Sequence, residues 1–543
     1  MKKNRFYLLA GLLMAGMTAC EKANDWGYDA AHDRPFRPTQ FETVEELPTA
    51  VQVSFKGVQD ATKYVFEFSK GDSLLFNNIV RTDEVLADTL TPYSESPLVV
   101  STEYRVWFQD LDGTSRYSIR MKGVDEKTGR ESGYIALCFD TPNEQIFTNV
   151  IPGTNSAVLN WDATKEATTI KYGEEVETQP ETETTPAVLD TIWADPITLT
   201  SDMQGQLTLE GLKCGTNYIA QIWNNAADEV LRGTYDFRTL GSATAAPIEV
   251  KAGDDINTLL AGQTGDVTLS FSGDVAYTVG ELIVPEGIAN LYIAGNMVNG
   301  QMPKLAMSKF TFQAPLNNVY VQYMDIISDG SAQFLVEIGD ANCFRNITFE
   351  GCNISDVPRS VVRLNSGDAE VEGITISGCL IHNVALSGYG LLNIGKAKSL
   401  QSVVIRNNTL WNITDQVIDL RVEVEEFEYT QNTFYNDANT AIPKFFRLDK
   451  QPKSITVTSS IFSGPNGGSK TNAGNSDYAW LSYAGCYQTA DLQIDNREFT
   501  DIRVLTYTAS ELFMDPDNGD FHFNPDLHFE GDGEAGDSRW WTK

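Results

Sequence analysis

Ile374-Thr-Ile376-Ser-Gly-Cys379-Leu-Ile381-His382-Asn383 is answered 29 residues later by Val403-Val-Ile405-Arg-Asn-Asn408-Thr-Leu410-Trp411-Asn412. Working outward, the phrase recurs seven times, with its paired apolar positions at Leu291/Ile293, Val319/Val321, Ile347/Phe349, Ile374/Ile376, Val403/Ile405, Phe427/Tyr429 and Ile455/Val457. The second members lie 28, 28, 27, 29, 24 and 28 residues apart. Three residues after each comes a small, polar or sulfur side chain (Asn296, Met324, Cys352, Cys379, Asn408, Asn432, Ser460). Five residues after comes a further apolar one (Val298, Ile326, Ile354, Ile381, Leu410, Phe434, Phe462). Alternation at period two makes each phrase a strand with one buried face. A fixed period in the twenties means that each unit closes its core against the unit before it. The repeat predicts a parallel β-helix with Cys352 stacked on Cys379 as reduced core thiols.

A chain of 543 residues has room for several domains. Lys2, Lys3 and Arg5 precede an apolar run, residues 6–17, that ends at Met17-Thr-Ala-Cys20. The run is too short to span a bilayer and fits a cleaved leader. It resembles a bacterial lipoprotein signal, which implies residues 1–19 as signal peptide and Cys20 as the lipidated N-terminus of the mature chain. Residues 20–41 read as a tether. The lipid is then the expected membrane anchor, and the expected address is the outer membrane, exposed at the surface. The net charge of −34 becomes −37 once the three leader cations are lost. Such a surface repels nucleic acid, and it repels a polyanionic glycan unless cations are gathered locally. The six later cysteines (Cys138, Cys214, Cys343, Cys352, Cys379, Cys486) follow neither a disulfide nor a zinc spacing.

Two stretches before the repeat, 42–142 and 143–241, read as β-sandwiches. In the second, Ala157-Val-Leu-Asn-Trp161 alternates like a core strand, and Leu209-Glu-Gly-Leu212-Lys-Cys214-Gly-Thr-Asn-Tyr218 leads into another. This resembles a fibronectin type III domain, with Cys214 where that family usually has Pro. The resemblance implies that Tyr218 ties a loop to a strand by a tyrosine-corner hydrogen bond. The first copy repeats the theme more loosely, through Val51/Val53/Phe55, Tyr64/Phe66/Phe68 and Tyr117. Ahead of the coils, Gly253-Asp-Asp-Ile256-Asn-Thr-Leu-Leu260 predicts a short Asp-capped helix over the open end of the repeat.

The prelude and coils resemble the pectate-lyase-like right-handed β-helix superfamily. The whole layout resembles surface lipoproteins of glycan-foraging gut bacteria, down to the tail phrases Asp515-Pro-Asp-Asn-Gly-Asp-Phe521 and Gly536-Asp-Ser-Arg-Trp540. The expected fold is therefore all-β: two fibronectin type III-like sandwiches, a right-handed parallel β-helix over 242–463, and final coils with long loops and a tail over 464–543.

Outward side chains of a β-helix stand in rows about 4.8 Å apart, so four of them span roughly 14 Å, suited to an extended polymer. One row is His382, Trp411 and Tyr435, each followed by an Asn (Asn383, Asn412, Asn436). Flat rings beside amides suit sugar faces and hydroxyls, and they equally suit packing against a neighbouring turn with a ladder of amides. A second row, on a second strand of each coil, is Glu337, Arg363, Asn393, Asp419 and Arg447. It fits either a neutralising ladder or a site whose Arg363 and Arg447 bind uronate carboxylates. The resemblance implies an acidic, pectin-like plant polysaccharide as partner. It leaves two alternatives: a polysaccharide lyase using Arg363, Asp419 and Arg447, and a structural or adhesive role. No metal site and no cofactor are expected. Asp515-Pro-Asp opens like a calcium loop, but Gly519 stands where a ligand would be needed, which favours a capped turn.

Overall fold

The structure, a computed structural model, describes residues 37–58, 60–93, 103–179, 188–225, 230–339, 344–440, 444–465, 472–474, 480–494 and 499–542. Cys20, the leader, most of the tether and Cys343 lie outside the described residues.

Residues 39–140 form two facing sheets. One pairs Thr39–Leu47, Ala50–Lys56 and Glu103–Phe108; the other centres on Lys63–Lys70 and Arg116–Asp125. Val53, Phe55, Phe66, Phe68 and Ile119 fill the space between them. Phe41 joins this core, so the sandwich reaches back into the segment read as tether. In the second sandwich, Phe147–Pro152, Ser156–Trp161 and Gln206–Glu210 face a sheet built on Thr169–Gln179, Asn217–Asn224 and Val230–Arg238. Leu159, Trp161, Ile170 and Ile222 are buried between the two. The tyrosine corner is present: the Lys213 N–H donates to the Tyr218 hydroxyl at 3.0 Å. The first sandwich has the same device, with the Asp112 N–H donating to the Tyr117 hydroxyl at 3.0 Å.

The helix Ile256–Leu260 forms as expected, with the Asp255 carboxylate accepting from the Asn257 and Thr258 N–H groups. Its Ile256 and Leu260 plug the end of the main core. Behind it the chain coils through three parallel ladders. The first, carrying the repeat phrase, runs from Ile248–Glu249 to Ser454–Thr458. The second includes Asn353–Ser355, Leu380–Val384, Thr409–Ile413, Thr433–Tyr435 and Ile461–Ser463. The third includes Phe334–Ile338, Ser360–Asn365, Leu392–Lys396, Gln416–Leu420 and Lys444–Leu448. The row starting at Glu337 thus lies on the third strand of each coil, not the second. The cause is a corner. Tyr323, Gly351, Gly378, Asn407, Gln431 and Ser459, each just past a first-ladder strand, have positive φ, which turns the chain into a separate short strand.

The residue after each corner points inward. Cys352 and Cys379 stack there as free, fully buried thiols. Farther along, Asn408 Nδ2 donates to Asn432 Oδ1 at 2.9 Å and to the Ile376 carbonyl at 3.0 Å, and the Asn432 N–H donates to Ser460 Oγ at 3.1 Å. Each buried amide is answered by the next coil, avoiding the roughly 1–3 kcal/mol that an unpaired one costs.

Candidate functional site

The second-ladder row assembles in register, with His382 beside Trp411 and Trp411 beside Tyr435. His382 and Trp411 stack at 4.3 Å with their planes 13° apart. The row is not free, however. The C-terminal tail lies over it, and Phe521 packs 5.7 Å from Trp411 and 5.8 Å from Tyr435. Tyr435 is buried, and its hydroxyl donates to Asp517. Two of the asparagines serve the backbone: Asn436 Oδ1 accepts from the Ile413 N–H and its Nδ2 donates to the Ile413 carbonyl, and Asn412 Oδ1 accepts from the Asp437 N–H, whereas Asn383 Nδ2 donates to the Asp356 carboxylate. The tail therefore occupies Trp411 and Tyr435, while His382, half-buried, stacks on Trp411.

That finding also explains the two tail phrases. Asp515-Pro-Asp-Asn-Gly-Asp520 is a capped turn, with Asn518 Nδ2 donating to Asp515 and Gly519 at φ 85°. In Gly536-Asp-Ser-Arg-Trp540, the fully buried Asp537 accepts from Thr409 Oγ1 at 2.8 Å and pairs with Arg539 Nε at 2.8 Å. The Asp537 N–H donates to Thr433 Oγ1, Ser538 N–H to Asn407 Oδ1, and Trp540 Nε1 to Thr409 Oγ1. Each conspicuous residue of the phrase grips an outward atom of the coils.

The third-ladder row is also in register: Glu337, Arg363, Asn393, Asp419 and Arg447 are successive neighbours. Its far half is internally satisfied. Asp419 is fully buried; it accepts from Asn393 Nδ2 at 2.8 Å and from Arg421 Nε at 2.9 Å, and it lies 3.6 Å from Arg447 Nε. The carboxylate holds the Arg421 guanidinium more firmly protonated than usual. Arg447 also donates to Asp449 at 2.9 Å. Asn393 and Asp419, both buried, are thus corrected from ligand contacts to the interior of an ion-pair ladder. Arg447 is spent on two carboxylates.

The near half is different. Arg363 stands 4.5 Å over the Phe334 ring and 5.1 Å over the Tyr389 ring, and its Nε lies 3.6 Å from the exposed Glu337 carboxylate, an ion pair rather than a hydrogen bond. Arg359, which the sequence reading did not single out, stands 4.5 Å over Tyr389 and 5.9 Å over Phe334. Among the described residues no carboxylate pairs with Arg359, and the Nε of each arginine is buried without a hydrogen-bond partner. Two guanidinium groups thus share one pair of rings. Tyr389 is held there by Gly388-Tyr-Gly390, all three at positive φ (92°, 79° and 83°), with its N–H donating to Asp415 at 2.9 Å. A left-handed conformation is costly for an aromatic residue and persists only where its surroundings enforce it. The two glycines flanking a tyrosine were the available signal; Arg359 had none, because its partners come from other coils. The described residues hold no cluster of three or more metal-ligating side chains.

No family model matches the chain, and no curated protein matches it. Among solved structures, a two-domain fibronectin type III segment of chicken tenascin is 13% identical and covers 37% of this chain and 99% of its own, at a TM-score of 0.23. The FN1–FN3 domains of chicken CNTN1 are 12% identical, covering 38% of this chain and 66% of their own, at a TM-score of 0.15. By its sheets and ladders the chain is an all-β protein, with two fibronectin type III-like sandwiches followed by a parallel β-helix.

Proposed function

We propose that this chain binds an acidic, pectin-like polysaccharide at the Arg359–Arg363–Tyr389 platform of the third ladder. In this reading it is a cell-envelope protein, lipid-anchored through Cys20 and serving glycan uptake or degradation. The observation that carries the proposal is the pair of guanidinium groups held over shared rings, in a protein of net charge −34. Two like charges gathered on one pair of rings repel, and a bound carboxylate relieves both; the planar fork of arginine suits a uronate. The coils continue the surface on either side, which suits a polymer more than a single sugar.

Binding fits this platform better than β-elimination does. Of the three residues a lyase would use, Arg363, Asp419 and Arg447, the last two are committed to one another and to Arg421 and Asp449. The test is calorimetry with polygalacturonate and a neutral glucan, alongside ultraviolet absorbance. Retention of the acidic polymer, weakened by salt and by Arg363→Ala, is expected without growth of absorbance. Steady growth of absorbance from unsaturated uronate would replace the binder with a lyase. Neither retention nor turnover would leave a structural or adhesive role.

A further inference from the structure

A cleft of ≈ 490 Å³ opens where the second sandwich meets the coils and the tail. Its volume is within the range of about 300–1,000 Å³ typical of small-molecule sites. The sandwich contributes Tyr235, the coils Tyr323, Glu350 and Arg406, and the tail Arg539. The corner glycines shape the floor. A side chain at Gly351 would come within 2.9 Å of the Tyr323 ring, so that ring lies flat on bare backbone. Burial and the Glu350 charge push the Tyr323 phenol up, keeping it a neutral donor. Among the described residues no hydrogen-bond partner reaches the hydroxyl of Tyr235 or Tyr323. Arg406 is exposed and has no carboxylate partner among them. Across Ser377, two coils back on the same row, Glu350 is held by Gln322 Nε2 at 2.9 Å. Arg539 is anchored by Asp537.

We propose that this cleft is a second saccharide site, taking one acidic sugar unit or chain end with its carboxylate at Arg406 and its hydroxyl groups toward Glu350 and the two phenols. The proposal rests on the glycan reading above for its ligand class, and its site is separate from the platform. Aromatic walls cover the apolar face of a sugar, while phenols and a carboxylate satisfy its hydroxyl groups. An unpaired guanidinium on an otherwise acidic surface selects the acidic sugar. Because Tyr235 belongs to the sandwich, the sandwich is here part of a binding site rather than a spacer.

The test titrates the full chain with trigalacturonate and with a neutral glucose trisaccharide, by calorimetry and saturation-transfer NMR. Two equivalents of trigalacturonate are expected. Arg406→Gln should weaken one of them by about tenfold or more, the scale of a lost charge-assisted hydrogen bond. Met302→Trp, which fills the cleft from its lining, should remove the same equivalent. Arg359→Ala with Arg363→Ala should remove only the other. A wild-type chain that takes one equivalent, unchanged in the platform variant and lost with Arg406→Gln or Met302→Trp, would sustain the cleft and overturn the platform. One equivalent insensitive to both Arg406→Gln and Met302→Trp would overturn the cleft and leave the platform standing. Equal affinity for the neutral sugar, or no binding at all, would overturn the cleft as stated.

Discussion

His382, Trp411 and Tyr435 on the second ladder, and Arg363, Asn393, Asp419 and Arg447 on the third, are outward rows of the same coils. On paper they look alike, each a column of side chains fit for a polymer. In the fold the tail phrases pack on the first at Trp411 and Tyr435, while the second ends at a half-buried Arg363 whose Nε has no hydrogen-bond partner. The difference is one of surplus. Trp411 and Tyr435 found apolar partners in the tail, whereas Arg359 and Arg363, half-buried over Phe334 and Tyr389, each keep an Nε without a hydrogen-bond partner.

The largest effect expected from this contrast is on stability. Phe521→Ala should destabilise the β-helix by about 3–5 kcal/mol, the scale for a buried Phe, read by denaturant unfolding. Trp411 fluorescence should shift to the red as the tail lifts. Unchanged stability together with lost glycan binding would reverse the roles given to the two rows. Next in size is the platform. Arg359→Ala with Arg363→Ala should weaken polygalacturonate binding by about 10–100-fold at low salt and leave unfolding nearly unchanged. Should it instead unfold the protein, the pair would be structural.

Trp411→Ala sharpens the same comparison: it should lower stability and leave glycan affinity within about twofold, because the ring faces the tail rather than solvent. A large loss of affinity would return the site to the second ladder. The smallest effect is with pH. Burial lowers the His382 pKa, outweighing Asp356 and Asp325, so the neutral ring is the form favoured by folding. Its contribution is present above the unfolded value of about 6.5 and is lost as pH falls through the lower folded value. Stability should therefore decline over that acidic window, and His382→Gln should flatten the decline. An identical pH profile in the variant would show that the stack does not sense charge.

The sequence by itself determined the coils, the capping helix, the tyrosine corner and both rows, down to Cys352 on Cys379. Those features rest on alternation along a strand and on neighbours one coil away, which a period in the twenties displays directly. What the sequence left open was which row the tail covers. Thr409 meets Asp537 across 128 residues and Tyr435 meets Asp517 across 82, separations that no periodicity reports. Arg359 and Tyr389 escaped for a related reason, since a corner loop and a strand edge from different coils bring them together. Tertiary structure alone decided these points, because covering an outward side chain depends on what packs over it and not on the strand that carries it.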